Sequence, residues 1–350
     1  MIRYIILVAT LCTTALSIAA ADGVIIREKA GEAFHALMLQ LHERGYSGTI
    51  LVEKDGEVIL AHGYGMANVK DGIHNTPEMV YTFGSITKQF TGAAILKLEM
   101  QGKLKTSDKI SKYFKKLPKD KRAITIHHLL THTAGLRASY GDDFDPVTRD
   151  DIIDMVLHKS KIRSYGVGNR HVYSNAGYSL LGAIIEIVSG QSYESYLREN
   201  LFLPAGMHET GYKLPNWPAE RVAHGYSDDG DWGTLIDKAW DNDGPYWHLR
   251  ANGGIMSTVH DMYAWHNALL HDSILSDAAR AKLFKRHVRE GDGDDWHYGY
   301  GWAIATTERD TTLITHNGGN GLFFADFRRY IDDKVTIIYT CNYADKLTAE

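Results

Sequence analysis

Ser85-Ile86-Thr87-Lys88 sets a hydroxyl three residues ahead of an amine, and positions i and i+3 share one face of a helix. The preceding Tyr81-Thr82-Phe83-Gly84 closes an extended run, and Gln89 to Leu98 carries apolar residues at helical spacing. Ser85 is therefore expected at a helix N-terminus, where free N–H groups and the macrodipole favour developing negative charge. Lysine at its ordinary pKa is a poor base, but desolvation lowers that pKa until the amine can take the serine proton. Ser-x-x-Lys also occurs on many surface helices, so the nucleophile reading needs partners elsewhere in the chain.

Two distant segments supply them. Tyr173-Ser174-Asn175 precedes an apolar helix bearing Leu180, Leu181, Ile184, Ile185 and Val188, and His316-Asn317-Gly318-Gly319 lies in a strand-like stretch. A phenol near a lysine can relay a proton to a leaving group, and an asparagine amide can orient substrate or lysine. Gly318 and Gly319 let a strand backbone approach a bound acyl group, and an N–H at Gly319 can pair with that of Ser85 as an oxyanion hole.

With these segments the chain resembles the serine β-lactamase and penicillin-binding-protein superfamily, whose motif set begins with Ser-x-x-Lys. Tyr173-Ser174-Asn175 is similar to the Tyr-x-Asn of class C β-lactamases, D-aminopeptidases and related esterases. His316-Asn317-Gly318 is similar to the His-x-Gly of the esterase and aminopeptidase-like branches. Ile124 to Leu136 (ITIHHLLTHTAGL) and Asn252 to Thr258 (NGGIMST) also resemble family segments, and the likeness runs from about residue 30 to the C-terminus. It implies an α+β fold, an antiparallel sheet flanked by helices with an inserted, mostly helical subdomain. It also implies an acyl-serine mechanism without cofactor or metal: Ser85, Lys88 and Tyr173 catalytic, Asn175, His316 and Gly318 orienting substrate, and the N–H groups of Ser85 and Gly319 holding the oxyanion. Ester, amide and lactam carbonyls all remain open as substrates. Alternatives are a D-amino-acid peptidase or β-lactamase acting on cell-wall peptides or lactams, and a non-catalytic sensor or scaffold.

One departure bears on substrate. Many β-lactamases carry a lysine in the third motif, whose fixed charge meets a substrate carboxylate, whereas His316 is mostly neutral at pH 7. Esters and D-amino-acid amides are therefore expected to outrank lactams.

Met1-Ile2-Arg3 followed by the apolar Tyr4 to Ala21 stretch reads as a signal peptide, with small residues before a cleavage point after Ala21. The expected location is periplasmic or secreted, with membrane contact only through an uncleaved leader. Losing Arg3 with the leader takes the net charge from −5 to −6. No basic stripe suits nucleic acid, and the Lys112 to Lys121 run reads as a solvated edge. Only Cys341 remains after the leader, so stability must come from the core, which a chain of this size can build. Oligomeric state is open.

Helical spacing is expected over Val24 to Arg44. Strands follow at Ser47 to Glu53 and Val58 to Tyr64 around the Asp55-Gly56 turn, with Ala67 to Val69 continuing the pattern. Strand character returns over Trp296 to Thr307, Thr311 to His316, Gly321 to Tyr330 and Lys334 to Asn342. The expected division is a sheet subdomain of residues 22–104 plus 251–350 and a helical insert of residues 105–250. Family members close with a long helix over the sheet, but only Tyr343 to Glu350 follows the last strand here. His128 and His132 have metal-site spacing without the zinc-protease glutamate, so a metal is not expected. The aromatic residues from Trp232 to Trp247 fit either a cleft wall or a loop anchor. No Gly-x-Ser-x-Gly elbow surrounds Ser85.

Overall fold

A computed structural model describes residues 23–238, 240–291 and 295–344. The leader with Cys12, and the last residues of the chain, lie outside the described residues.

Nine strands form one antiparallel sheet. They are β1 (Ile25–Ile26), β2 (Gly48–Lys54), β3 (Glu57–Tyr64), β4 (Val288–Arg289), β5 (His297–Tyr298), β6 (Ala303–Thr306), β7 (Thr312–Gly319), β8 (Phe324–Tyr330) and β9 (Val335–Cys341). Their spatial order is β1-β3-β2-β9-β8-β7-β6-β5-β4. The α+β expectation holds, and the sheet is assembled from both ends of the chain. Its joint is β2 against β9, in register from Gly48↔Cys341 to Lys54↔Val335. The β2–β3 turn has positive φ at both Asp55 (53°) and Gly56 (89°), the backbone that a tight hairpin with right-handed strand twist requires.

Helix Thr87–Met100 runs behind the sheet and is buried on nearly every side. Phe90 meets the rings of Phe202 and Trp265 at 5.0 Å each, so truncating it to alanine would cost about 3–5 kcal/mol. Helix Asn175–Ser189 packs against it and presents Leu180, Leu181, Ile184 and Ile185 to the core. The opposite sheet face is covered by helix Glu28–Glu43 through Phe34, Met38 and Leu41. Phe324, Ile337 and Tyr339 extend from there along an apolar groove of about 390 Å³.

Three local expectations change. The helix expected from Val24 begins only at Glu28, because Ile25–Ile26 pair with β3. Ala67 leaves the large sheet, since Met66–Asn68 pairs with Ile73–His74 instead. Lys121 is not a solvated edge residue: its stem is buried and its ammonium donates to the Ser160 carbonyl at 2.6 Å. The segment between the two sheet portions alternates short helices with loops and also carries a hairpin, Gly225–Ser227 with Gly230–Gly233.

Candidate active site

Ser85 sits in a single 3-10 turn, Gly84–Ile86, one step before the α-helix expected to contain it. Thr87 fixes that turn. Its hydroxyl donates to the Gly84 carbonyl at 2.7 Å and accepts from the Ile255 N–H at 3.1 Å, while Phe83 N–H donates to the Ile255 carbonyl at 2.9 Å.

β7 passes directly behind the turn. A Cβ on Gly318 would collide with the Phe83 carbonyl and the Ser85 amide nitrogen, and one on Gly84 would stand 2.7 Å from Gly319 N. Both positions demand glycine for close approach, and Gly84 also has a φ of +50°. The Ser85 and Gly319 backbones are thereby brought to one opening, which both residues line.

Lys88 lies beneath Ser85, wholly withdrawn from water. Its Nζ is 3.0 Å from Ser85 Oγ, donates to the Asn252 carbonyl at 2.7 Å, and stands 4.7 Å from the centre of the Tyr173 ring. Burial pushes the amine well below the usual lysine range, with the Asp143 carboxylate partly opposing. Asn252 is rigidly placed, since its side-chain amide donates to the His248 carbonyl at 2.7 Å and to Ser179 Oγ at 2.9 Å.

Tyr173 and Asn175 are clamped by the segment around His132. Ser174 N–H donates to His132 Nδ1 at 3.0 Å, Ser174 Oγ donates to the Arg137 carbonyl at 2.6 Å, and Asn175 N–H donates to the Ala138 carbonyl at 2.8 Å. The His132 ring packs 4.3 Å from that of Tyr173. The histidines at 128 and 132 thus have separate structural tasks, because His128 caps its own short helix with Thr125. Burial raises the Tyr173 phenol well above its usual range, while its interaction with the Ser85 side chain pulls the other way. Asn175 lines the Ser85 cleft, and its side-chain oxygen is buried without a partner.

His316 takes a different place. It does not line the Ser85 cleft; its ring centre is 6.2 Å from that of Tyr173, and its Nε2 is 3.0 Å from the Tyr298 hydroxyl. Burial, then the nearby Lys88, push its pKa down to about 3. The imidazole is neutral at pH 7.

Two participants escaped the sequence reading. The Asn252 carbonyl is a main-chain atom, hinted at only by the Asn-Gly-Gly run. Asp143 lines the Ser85 cleft beside Phe144, Leu235 and Leu249. Its carboxyl is raised by burial, with Lys88 and His248 opposing, and nothing in Asp142-Asp143 announced that position. Trp232 anchors a loop, 6.0 Å from the Phe144 ring and 6.3 Å from the Phe323 ring.

The sequence matches the Beta-lactamase family over residues 33–349. The chain belongs to that family. Within this family, two relatives from Bacillus subtilis are similar to it. Penicillin-binding protein 4* is 29% identical over 310 residues, covering 85% of this chain and 68% of the relative. A putative penicillin-binding protein, PbpX, is 33% identical over 265 residues, covering 76% of this chain and 64% of the relative. Among solved structures, the octameric penicillin-binding protein homologue from Pyrococcus abyssi aligns with a TM-score of 0.75 at 29% identity, over 91% of this chain and 74% of that one. The D-amino acid amidase of Ochrobactrum anthropi SV3 shares the fold, with a TM-score of 0.76 at 23% identity over 90% of this chain and 92% of that one. The serine β-lactamase and penicillin-binding-protein assignment and its fold therefore stand.

Proposed function

We propose that the chain is an exported serine hydrolase that acts through an acyl-serine on esters and amides, in preference to lactams. The observation that carries this reading is the dry Lys88 amine, 3.0 Å from Ser85 Oγ and held by the Asn252 carbonyl at 2.7 Å. An amine whose charge is disfavoured accepts the serine proton as Oγ bonds to the carbonyl carbon. The oxyanion is assigned to the N–H groups of Ser85 and Gly319. As the tetrahedral adduct collapses, the bond to the leaving oxygen or nitrogen breaks, and the proton passes from Lys88 through Tyr173 to that atom. Water then attacks the acyl-serine, with the same pair taking and returning a proton. Asn175 and His316 orient the substrate.

Charge argues for the substrate class. His316 is neutral, and Arg328, the guanidinium near it, is engaged by Asp326 at 2.6 Å. Among the described residues lining these cavities, a substrate carboxylate therefore meets no unpaired fixed cation of the kind that favours lactams and C-terminal peptides. The Ser85 cleft instead offers the Asp143 carboxylate beside the apolar walls of Phe144, Leu235 and Leu249. That combination suits an acyl group bearing a free ammonium and an apolar side chain, as in an amino-acid amide or ester.

Purified protein assayed on a chromogenic cephalosporin, short-chain nitrophenyl esters and D-alanyl amides tests the reading. Esters or amides should lead. A cephalosporin far ahead would reject it, as would undiminished covalent labelling of Ser85→Ala by a serine-directed acylating probe.

A further inference from the structure

A second cavity, of about 460 Å³, is lined by Tyr173, His316 and Asn317. Tyr173, Tyr298 and Trp296 provide aromatic wall, and Glu290 provides the charge. Glu290 follows β4 at the sheet edge, and its N–H donates to the Trp296 carbonyl at 3.0 Å. Its Oε1 is shielded from solvent and has no hydrogen-bond partner among the described residues. The other charges on the cavity cancel, because Asp326 holds Arg328 at 2.6 Å. Burial pushes the Glu290 carboxyl up to about 7. A half-buried carboxyl among aromatic rings, with no ion pair of its own among the described residues lining this cavity, is suited to an organic cation, which meets both the carboxylate and the ring faces.

The position of this cavity relative to the chemistry decides what enters it. The acyl group is assigned to the Asp143 side of Ser85, and Tyr173 delivers the proton to the departing atom. The departing group therefore lies toward Tyr173, whose ring is shared with the Glu290 cavity. On the acyl-serine reading above, we infer that this cavity is a leaving-group subsite for a positively charged substituent, held by Glu290 among Tyr173, Trp296 and Tyr298.

Acetylcholine and 3,3-dimethylbutyl acetate share an acyl group and a shape but differ by one charge, so they isolate the effect. The expected result is kcat/KM at least about tenfold higher for acetylcholine, a difference of about 1.4 kcal/mol. Glu290→Gln should bring the ratio close to one, and Asp143→Asn should keep it. A wild-type ratio near one, a ratio unchanged in Glu290→Gln, or a ratio lost in Asp143→Asn overturns the assignment. If Glu290→Gln does not fold, the wild type and Asp143→Asn still decide, by a tenfold ratio in both or its absence in either. Ser85 acylation by the neutral ester without charge discrimination defeats only the subsite. Turnover of neither ester, with no Ser85 acylation, defeats the serine-hydrolase reading as well.

Discussion

Lys88 reaches Ser85 from inside the protein: its Nζ is 3.0 Å from the hydroxyl, and its whole side chain is out of water. Burial disfavours the ammonium, so the free amine is available far below the ordinary lysine range. Protonation on acidification removes the base, and acylation should fall as pH drops, with a one-proton dependence. Lys88→Met should slow acylation by about three powers of ten or more and erase that dependence. Stopped-flow acylation against pH measures both, and a variant within threefold of wild type would remove Lys88 from the chemistry.

Tyr173 is a buried phenol whose ionisation is suppressed, so on the proposed mechanism its role is that of a neutral hydrogen-bond donor. Donation matters most when the leaving group is basic. Tyr173→Phe should cost about 10²–10⁴ in kcat/KM on an amide but far less on a nitrophenyl ester, whose phenolate departs without a proton. Equal losses on both would point to a packing role.

Gly318→Ala drives a methyl group into the Ser85 amide and the Phe83 carbonyl. β7 must move away, and the oxyanion donors with it. A fall of about 10²–10³ in kcat is expected, the size associated with one lost donor. Far-ultraviolet circular dichroism should remain native, and kcat within a few-fold of wild type would show that the Gly319 amide is not an oxyanion donor.

Asp143→Asn should lower kcat/KM for an amino-acid amide with a free amino group by about tenfold or more, while the N-acetylated ester changes little. An equal loss on both substrates would mean that Asp143 acts on Lys88 and not on the substrate.

The folded chain keeps His316 neutral down to about pH 3 and His127 down to about 4, burial being the largest cause in each. In the unfolded chain both protonate near 6.5. The unfolded state thus binds more protons across this window, so these residues make stability fall as pH drops from about 6.5 toward 3–4. His316→Gln should flatten that slope by about one proton in urea unfolding measured against pH; an unchanged slope would mean His316 is accessible.

Much of this architecture was legible because periodicity and turn chemistry are local. Asp55-Gly56 announced its hairpin, and the spacing of Leu180 to Val188 announced its helix. The meeting of Ser85, Lys88 and Tyr173 was legible because Ser-x-x-Lys and Tyr-x-Asn are local side-chain patterns. The Asn252 carbonyl was not, since main-chain acceptors have no residue code. Asp143 was hidden because an acidic loop residue gains meaning only from what it faces. The early start expected for helix Glu28–Glu43 failed because Ile25 and Ile26 found a strand partner in β3, a tertiary gain that outweighs local preference. His316 was read as mostly uncharged, in line with its lowered pKa, but its place beside Tyr298 and outside the Ser85 cleft depends on strand pairing that no local pattern records.

The β2–β9 seam sets the order of events at birth. Gly48–Lys54 is synthesised long before the strand that completes its hydrogen bonding, Val335–Cys341. Contacts so far apart in sequence form late and slowly. β7, which backs the Ser85 turn, is joined to that seam through β8. A nascent chain therefore carries Ser85 through a long stretch of translation before the strand that backs its turn exists.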